Sequence, residues 1–179
     1  MSDISVELLK YPTEDDWLWC KTCCLNTVGK KAVNAPTDEW KHKLIEAEHS
    51  PLRELWFGFK LIIPYYCSVH LCRHHEGCSH YVQSQRNDRQ SDYDRTQAPQ
   101  GEMVSHILSV NAQEFVFMAH KRLCGQADPT TRHVMAMMCN EVIKTNPEFK
   151  DVLVPLCVYR NGLCTEFYPC GYNKTIIRE

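Results

Sequence analysis

Between His70 and Arg86 the chain places four histidines, two arginines and two serine hydroxyls in seventeen positions, directly after the apolar run Leu55 to Tyr66. Polar groups this dense at the end of a buried element are costly unless something anionic binds there. Arginine presents paired N–H donors to phosphate or carbonyl oxygens, and a serine hydroxyl adds a further contact. Ser84 and Arg86 are two residues apart, so an extended segment points both to one side. Arg73, His74, Ser84 and Arg86 form the first candidate constellation, a phosphate- or nucleotide-handling site. Asn111 and Arg122 form the second. Eleven residues apart on a helix is three turns, which puts both on one face, with Asn111 also suited to cap that helix.

Cysteine is the other reactive type, with eleven in the chain. Without a signal peptide, reduced thiols or metal ligation are expected rather than disulfides. Cys20, Cys23 and Cys24 give a C-x-x-C spacing, but in the middle of a helix. Cys157, Cys164 and Cys170 lie in an irregular tail, 153–179, where zinc joined by a fourth ligand would staple a segment with little core of its own. Cys72 and Cys78 have arginine and histidine neighbours that would lower a thiol pKa and favour a thiolate nucleophile.

The elements that must position these groups are read from pattern. Ile4 to Leu9 alternates as an edge strand. Thr13 followed by three acids starts a helix that ends near Gly29, and Thr37-Asp38-Glu39 starts another through about Glu48. Leu52 to Ile63 reads as a strand, and Pro64 opens a helix over roughly 65–75. Residues 86–102 are polar and of mixed charge, a long loop. Val104 to Val110 reads as a strand and Ala112 to Cys124 as a helix with one apolar face. Asp128-Pro129 caps a helix through about Lys144.

The length of 179 residues sets one domain as the expectation, with a sizeable core. The apolar fraction of 44% and charged fraction of 23% are those of an ordinary soluble protein. A net charge of −2 argues against bulk nucleic-acid binding. Met1 to Tyr11 does not read as a signal peptide, and the run 55–66 is too short to span a bilayer. The expected location is the cytoplasm, with no membrane partner.

Taken in order, the motifs resemble those of the flavin-dependent thymidylate synthases (ThyX). His49-Ser50-Pro51-Leu52 is similar to that family's His-Thr-Pro-Phe segment. Arg73-His74-His75 and Ser84-Gln85-Arg86 are similar to its signature of Arg-His-Arg, seven residues, then Ser-x-Arg. Val110-Asn111-Ala112 with Arg122 is similar to its Val-Asn-Ala-Arg helix, and Asn146-Pro147-Glu148-Phe149 to its closing segment. The likeness covers roughly 45–150.

The resemblance implies an α/β (α+β) fold: a curved, mostly antiparallel sheet packed with helices, in a single domain with a shortened central region. It implies a methyltransferase that moves a one-carbon unit from methylenetetrahydrofolate to C5 of a deoxypyrimidine monophosphate, dUMP above all, with FAD and NAD(P)H. Arg122 and Ser84 would be catalytic. His70, Ser84, Arg86 and Arg122 would bind the nucleotide, with Arg122 polarising the ring through its carbonyl. His49, Arg73, His74 and Asn111 would serve the flavin, and His49 also the folate. No metal would be needed at that site, and the active sites would lie between subunits of a homotetramer.

The chain also departs from the pattern. His75 replaces the third signature arginine, and the gap to Ser84 is one residue longer. Gln113 stands in place of a flavin-phosphate arginine, and Phe117 in place of a flavin-contacting asparagine. Only 24 residues separate Arg86 from Asn111, which is shorter by several dozen. Compact forms of this kind resemble those of phages, which would act in the host cytoplasm. Two other readings stand beside the first: a pyrimidine-nucleotide-binding protein without redox activity, and a related enzyme that methylates or hydroxymethylates dCMP or dUMP.

Overall fold

The computed structural model describes residues 4–86, 88–89 and 94–176. Four strands form one antiparallel sheet in the order β1-β2-β4-β3: β1 is Ser5–Lys10, β2 Trp56–Pro64, β3 Cys78–Val82 and β4 Met103–Asn111. The helices are α1 (Glu14–Asn26), α2 (Asp38–Glu46), α3 (Tyr65–Cys72), α4 (Ala112–Arg122), α5 (Pro129–Thr145) and the short α6 (Leu156–Tyr159).

The central pair β2 and β4 is set by period-two alternation. Phe57, Phe59, Leu61 and Ile63 face inward, opposite Val110, Leu108, His106 and Val104. A one-residue slip would turn all of these to solvent, so this register is strongly specified. Phe57, Phe59, Phe115, Phe149 and Trp17 build the aromatic centre of one continuous core, with Phe57 and Phe115 ring centroids 5.3 Å apart. At the edge, β1 bulges between Leu8 and Lys10 against Gly58. A Cβ at Gly58 would lie 3.0 Å from the Lys10 Cβ, so the close approach needs glycine.

Helix starts follow their caps. Thr13 and Asp16 form a reciprocal capping box on α1. Thr37 caps α2, and Asp128 caps α5 through the Thr131 N–H.

The fold is the antiparallel α/β arrangement expected, with three local differences. Residues 50–54 form a 3-10 turn, because Pro51 at its start lacks an N–H and fixes φ, and the strand begins only at Trp56. β3 lies inside the polar stretch 70–86, where no strand is expected from pattern. The tail is not wholly irregular: it holds α6 and a 3-10 turn over Tyr172–Thr175. Between β3 and β4 the described residues hold turns and no helix, in keeping with a shortened central region. Among the described residues no helix is long and apolar enough to cross a membrane.

Candidate active site

Two elements meet at the site. Strand β2 ends at Pro64, whose ring permits α3 to begin at once, and α3 runs out at Arg73. The chain then turns His74 inward, where it is almost fully buried. From the other side comes α4, which carries Arg122 in its last turn.

Arg122 Nε donates to His74 Nε2 over 3.0 Å, and Arg122 Nη2 donates to the His70 carbonyl over 2.8 Å. The opposite ring nitrogen of His74 lies 2.8 Å from Glu114 Oε1. A guanidinium can only donate, so His74 Nε2 accepts. The ring proton therefore sits on Nδ1 and is donated to the Glu114 carboxylate. Glu114 is fixed in turn: its N–H donates to Asn111 Oδ1 over 2.9 Å, the N-cap bond of α4. Asn111 is held by the turn before β3, donating its N–H to the Gly77 carbonyl at 2.8 Å. Gly77 has φ +68°, and a Cβ there would lie 2.3 Å from Asn111 Nδ2, so this position requires glycine.

Arg122 lines an open cleft of about 320 Å³ with His74, Phe117, Lys121, Gln126 and Glu166. Phe117 is half-exposed, meets His74 edge-on with ring centroids 5.8 Å apart, and also borders a second cleft of about 520 Å³. Arg53, Asn111, Gln113 and Glu114 line that larger cleft. Arg53 Nε donates to Gln113 Oε1 over 2.6 Å, and Gln113 Nε2 donates to the Glu48 carbonyl over 3.3 Å. Burial, and then the charge of Arg73, pushes the Arg122 pKa below the usual guanidinium range. Among the described residues neither Arg53 nor Arg122 has a carboxylate at ion-pair distance. Two cations without a counter-ion beside a cleft favour an anionic guest.

The remaining candidate residues fall around this centre. His70 is half-buried, its Nδ1 2.8 Å from Thr131 Oγ1, so its backbone rather than its ring meets Arg122. His49 is exposed at the start of the 3-10 turn; its neighbours Glu48 and Arg53 line the larger cleft, and it does not. Ser84 and Arg86 follow β3 and line neither cleft. They are not extended side by side: the Arg86 N–H donates to Ser84 Oγ over 3.3 Å, and the guanidinium turns to form a two-bonded pair with Asp88. Arg73 and His74 therefore stand apart from Ser84 and Arg86 within one chain, with β3 between them.

Beneath His74 lies a chain of polar groups. His80 Nε2 is 2.6 Å from the His74 carbonyl, His80 Nδ1 is 3.0 Å from His106 Nε2, and His106 Nδ1 is 3.1 Å from Ser68 Oγ. The carbonyl only accepts, so His80 donates from Nε2 and accepts at Nδ1 from His106, which accepts from the Ser68 hydroxyl. Both rings are then neutral and satisfied. Burial first, then the charge His80 would carry, pushes the pKa of His106 down to about 4. Cys72, His80 and His106 offer ligand atoms within 4.8 Å of one another, a set able to hold a metal ion, but the hydrogen-bond chain already occupies the imidazole nitrogens.

A thiolate at Cys72 or Cys78 is not what the structure supports. Burial pushes the Cys72 thiol up. Burial, Glu114 and Cys72 push Cys78 up to about 11. The C-x-x-C pair is likewise no thiolate site: Cys20 is buried, donates to the Pro51 carbonyl, and is pushed up to about 12 by burial.

No family model matches the sequence, and no curated protein matches it by sequence. Solved structures do match by shape. One is thymidylate synthase X (ThyX) of Helicobacter pylori with FAD and dUMP. Its TM-score is 0.65 at 14% identity, over 84% of this chain and 99% of that one. Another is the UMP/dUMP methylase PolB of Streptomyces cacaoi bound with 5-Br dUMP, with a TM-score of 0.62 at 16% identity, over 86% and 97%. The fold is that of ThyX.

Pattern reading missed Arg53 and Glu114. Glu114 had a usable signal, since an acid three residues after an N-cap asparagine is a helix-start pattern. Arg53 has none, because its pattern is that of a strand and only the 3-10 turn aims it at the cleft.

Proposed function

We propose that the protein transfers a one-carbon unit from methylenetetrahydrofolate to C5 of a deoxypyrimidine monophosphate, dUMP first, as a flavin-dependent thymidylate synthase-like enzyme using FAD and NAD(P)H. The observation that carries this is the Arg122–His74–Glu114 arrangement: a half-buried guanidinium with no carboxylate partner, held in one orientation at a cleft within a ThyX-like fold.

The cleft chemistry is compatible with flavin. Phe117 offers an aromatic face, Asn111 and Gln113 offer amides to a heterocycle edge, and Arg53 offers one guanidinium to a phosphate. Arg53 compensates for Gln113, which is neutral where the family pattern has a cation and which accepts from Arg53 directly. Bound flavin would supply the reducing equivalents. The chain's own groups bind and orient. Arg122 presents Nη1, and the remaining proton on Nη2, to a pyrimidine carbonyl. That contact stabilises negative charge developing on the ring oxygen as C5 becomes nucleophilic. His74 keeps Arg122 from swinging away and contributes no proton there, because its one N–H is committed to Glu114. Asn111, which lines the larger cleft, would serve the flavin with Arg73 and His74, and His49 would serve flavin and folate.

Ser84 and Arg86 serve the nucleotide phosphate of a second copy of the chain, which is consistent with their exposure and with their lining neither cleft of their own chain. A homotetramer would supply that pairing.

Release of tritium from C5-labelled dUMP, in the presence of FAD, NADPH and methylenetetrahydrofolate, tests the reading, with labelled dCMP run in parallel. Release from dUMP supports it, release only from dCMP reassigns the base, and release from neither removes the catalytic reading.

A further inference from the structure

Four cysteines that are distant in sequence line one small cavity. Cys124 follows the end of α4, Cys157 lies in α6, and Cys164 and Cys170 lie in the tail beyond it. The cavity measures about 20 Å³, the size of a single water or ion, and Gly125 and Glu166 complete its wall. We propose that Cys124, Cys157, Cys164 and Cys170 form a structural zinc site that ties the C-terminal tail to the end of α4.

Three features support the assignment. All four thiols are free. Position 125 is glycine where a Cβ would lie 3.1 Å from Cys170 Sγ, so the bare backbone leaves room for that sulfur to reach the cavity. The tail beyond α6 also has little core of its own. Leu163, Phe167 and Tyr168 are 56%, 90% and 77% exposed, and a segment that buries so little apolar surface needs a staple.

No three of these sulfurs lie within 4.8 Å of one another in the metal-free chain, so zinc would draw them together into a closed tetrathiolate centre. Zinc takes four sulfur ligands tetrahedrally and leaves no open position, so the site is structural. Binding releases the thiol protons to solvent and leaves a net negative centre. Arg132 lies beside it, donating to the Gly125 carbonyl at 3.3 Å, and Lys121 pairs with Glu166 at 3.4 Å. The site has a reach beyond the tail. Cys124 and Glu166 also line the Arg122 cleft, and Gln126 on its wall donates to the Tyr168 carbonyl. Zinc would thereby hold one wall of that cleft.

The test is elemental analysis of the full chain purified from zinc-supplemented medium, beside Cys170→Ser and Cys72→Ser. The proposal expects about one zinc per wild-type chain, unchanged in Cys72→Ser and lost in Cys170→Ser. Cobalt put in place of zinc should give the visible bands of a tetrahedral thiolate complex, a readout on the wild type that stands if Cys170→Ser fails to fold. Zinc well below one equivalent overturns the proposal. So does zinc lost from Cys72→Ser and kept by Cys170→Ser, which would move the metal to His80 and His106. None of these readouts requires nucleotide, flavin or activity.

Discussion

Arg122 and His74 share a hydrogen bond of 3.0 Å in which the guanidinium donates and the imidazole accepts. That direction fixes the His74 tautomer and makes Glu114, on the far side of the ring, the group that holds Arg122 indirectly. Arg122→Ala is expected to weaken dUMP binding by about 2 kcal/mol, roughly thirtyfold in Kd, in isothermal titration. Glu114→Gln keeps an oxygen acceptor for the ring N–H and should stay within a few-fold of wild type. Glu114→Ala removes the acceptor and should raise the KM for dUMP more than it lowers kcat. Equal losses from both Glu114 variants would show that the carboxylate has another role.

Ser84 and Arg86 line neither cleft of their own chain, so two defective chains should repair one another. Arg86→Ala and Arg122→Ala, each inactive alone, are expected to regain activity on mixing, since random assembly leaves roughly one site in four with both native residues. Activity assays on subunits exchanged in mild denaturant would show it. No recovery would place both residues on one chain's site.

Arg53 lines the larger cleft and donates to Gln113, and under the proposed function it supplies the cation that Gln113 lacks. Arg53→Ala should weaken FAD binding roughly tenfold, as expected for loss of one charge-assisted contact, and leave flavin-free dUMP binding unchanged. Flavin fluorescence titration separates the two effects. An unchanged FAD affinity would remove Arg53 from the cofactor side.

His106 is neutral in the fold, with its pKa pushed from 6.5 to about 4 by burial and by His80. Between those values the unfolded chain binds a proton that the folded chain refuses. Stability is therefore full above about pH 6.5, falls as pH drops toward about 4, and loses nothing more from this group below that, a total on the order of a few kcal/mol. Urea midpoints across this range should fall less steeply for His106→Gln than for wild type. Parallel slopes would mean that His106 is not the group that titrates.

The central strands and α4 were legible because their buried residues are apolar and evenly spaced. The strand β3 was not, because its inward residues include Cys78 and His80, and polar side chains inside hide a period-two pattern. Leu52 is as apolar as any strand residue, yet Pro51 commits it to a 3-10 turn. The site was legible in its residue types but not in its pairings. Asn111 and Arg122 are linked through Glu114, on the same helix, and through His74, contributed by a different segment. Long-range partners of this kind leave no local trace. Cys124 shows the same limit: nothing in its neighbourhood links it to Cys157, Cys164 and Cys170 until the fold brings them together.

The most direct test of the account is the flavin spectrum under anaerobic conditions. Protein loaded with FAD and bleached by NADPH should regain the oxidised flavin band when dUMP and methylenetetrahydrofolate are added together, and dTMP should form. A protein that binds no FAD, or a bleached flavin that stays reduced when both substrates are present, would contradict it.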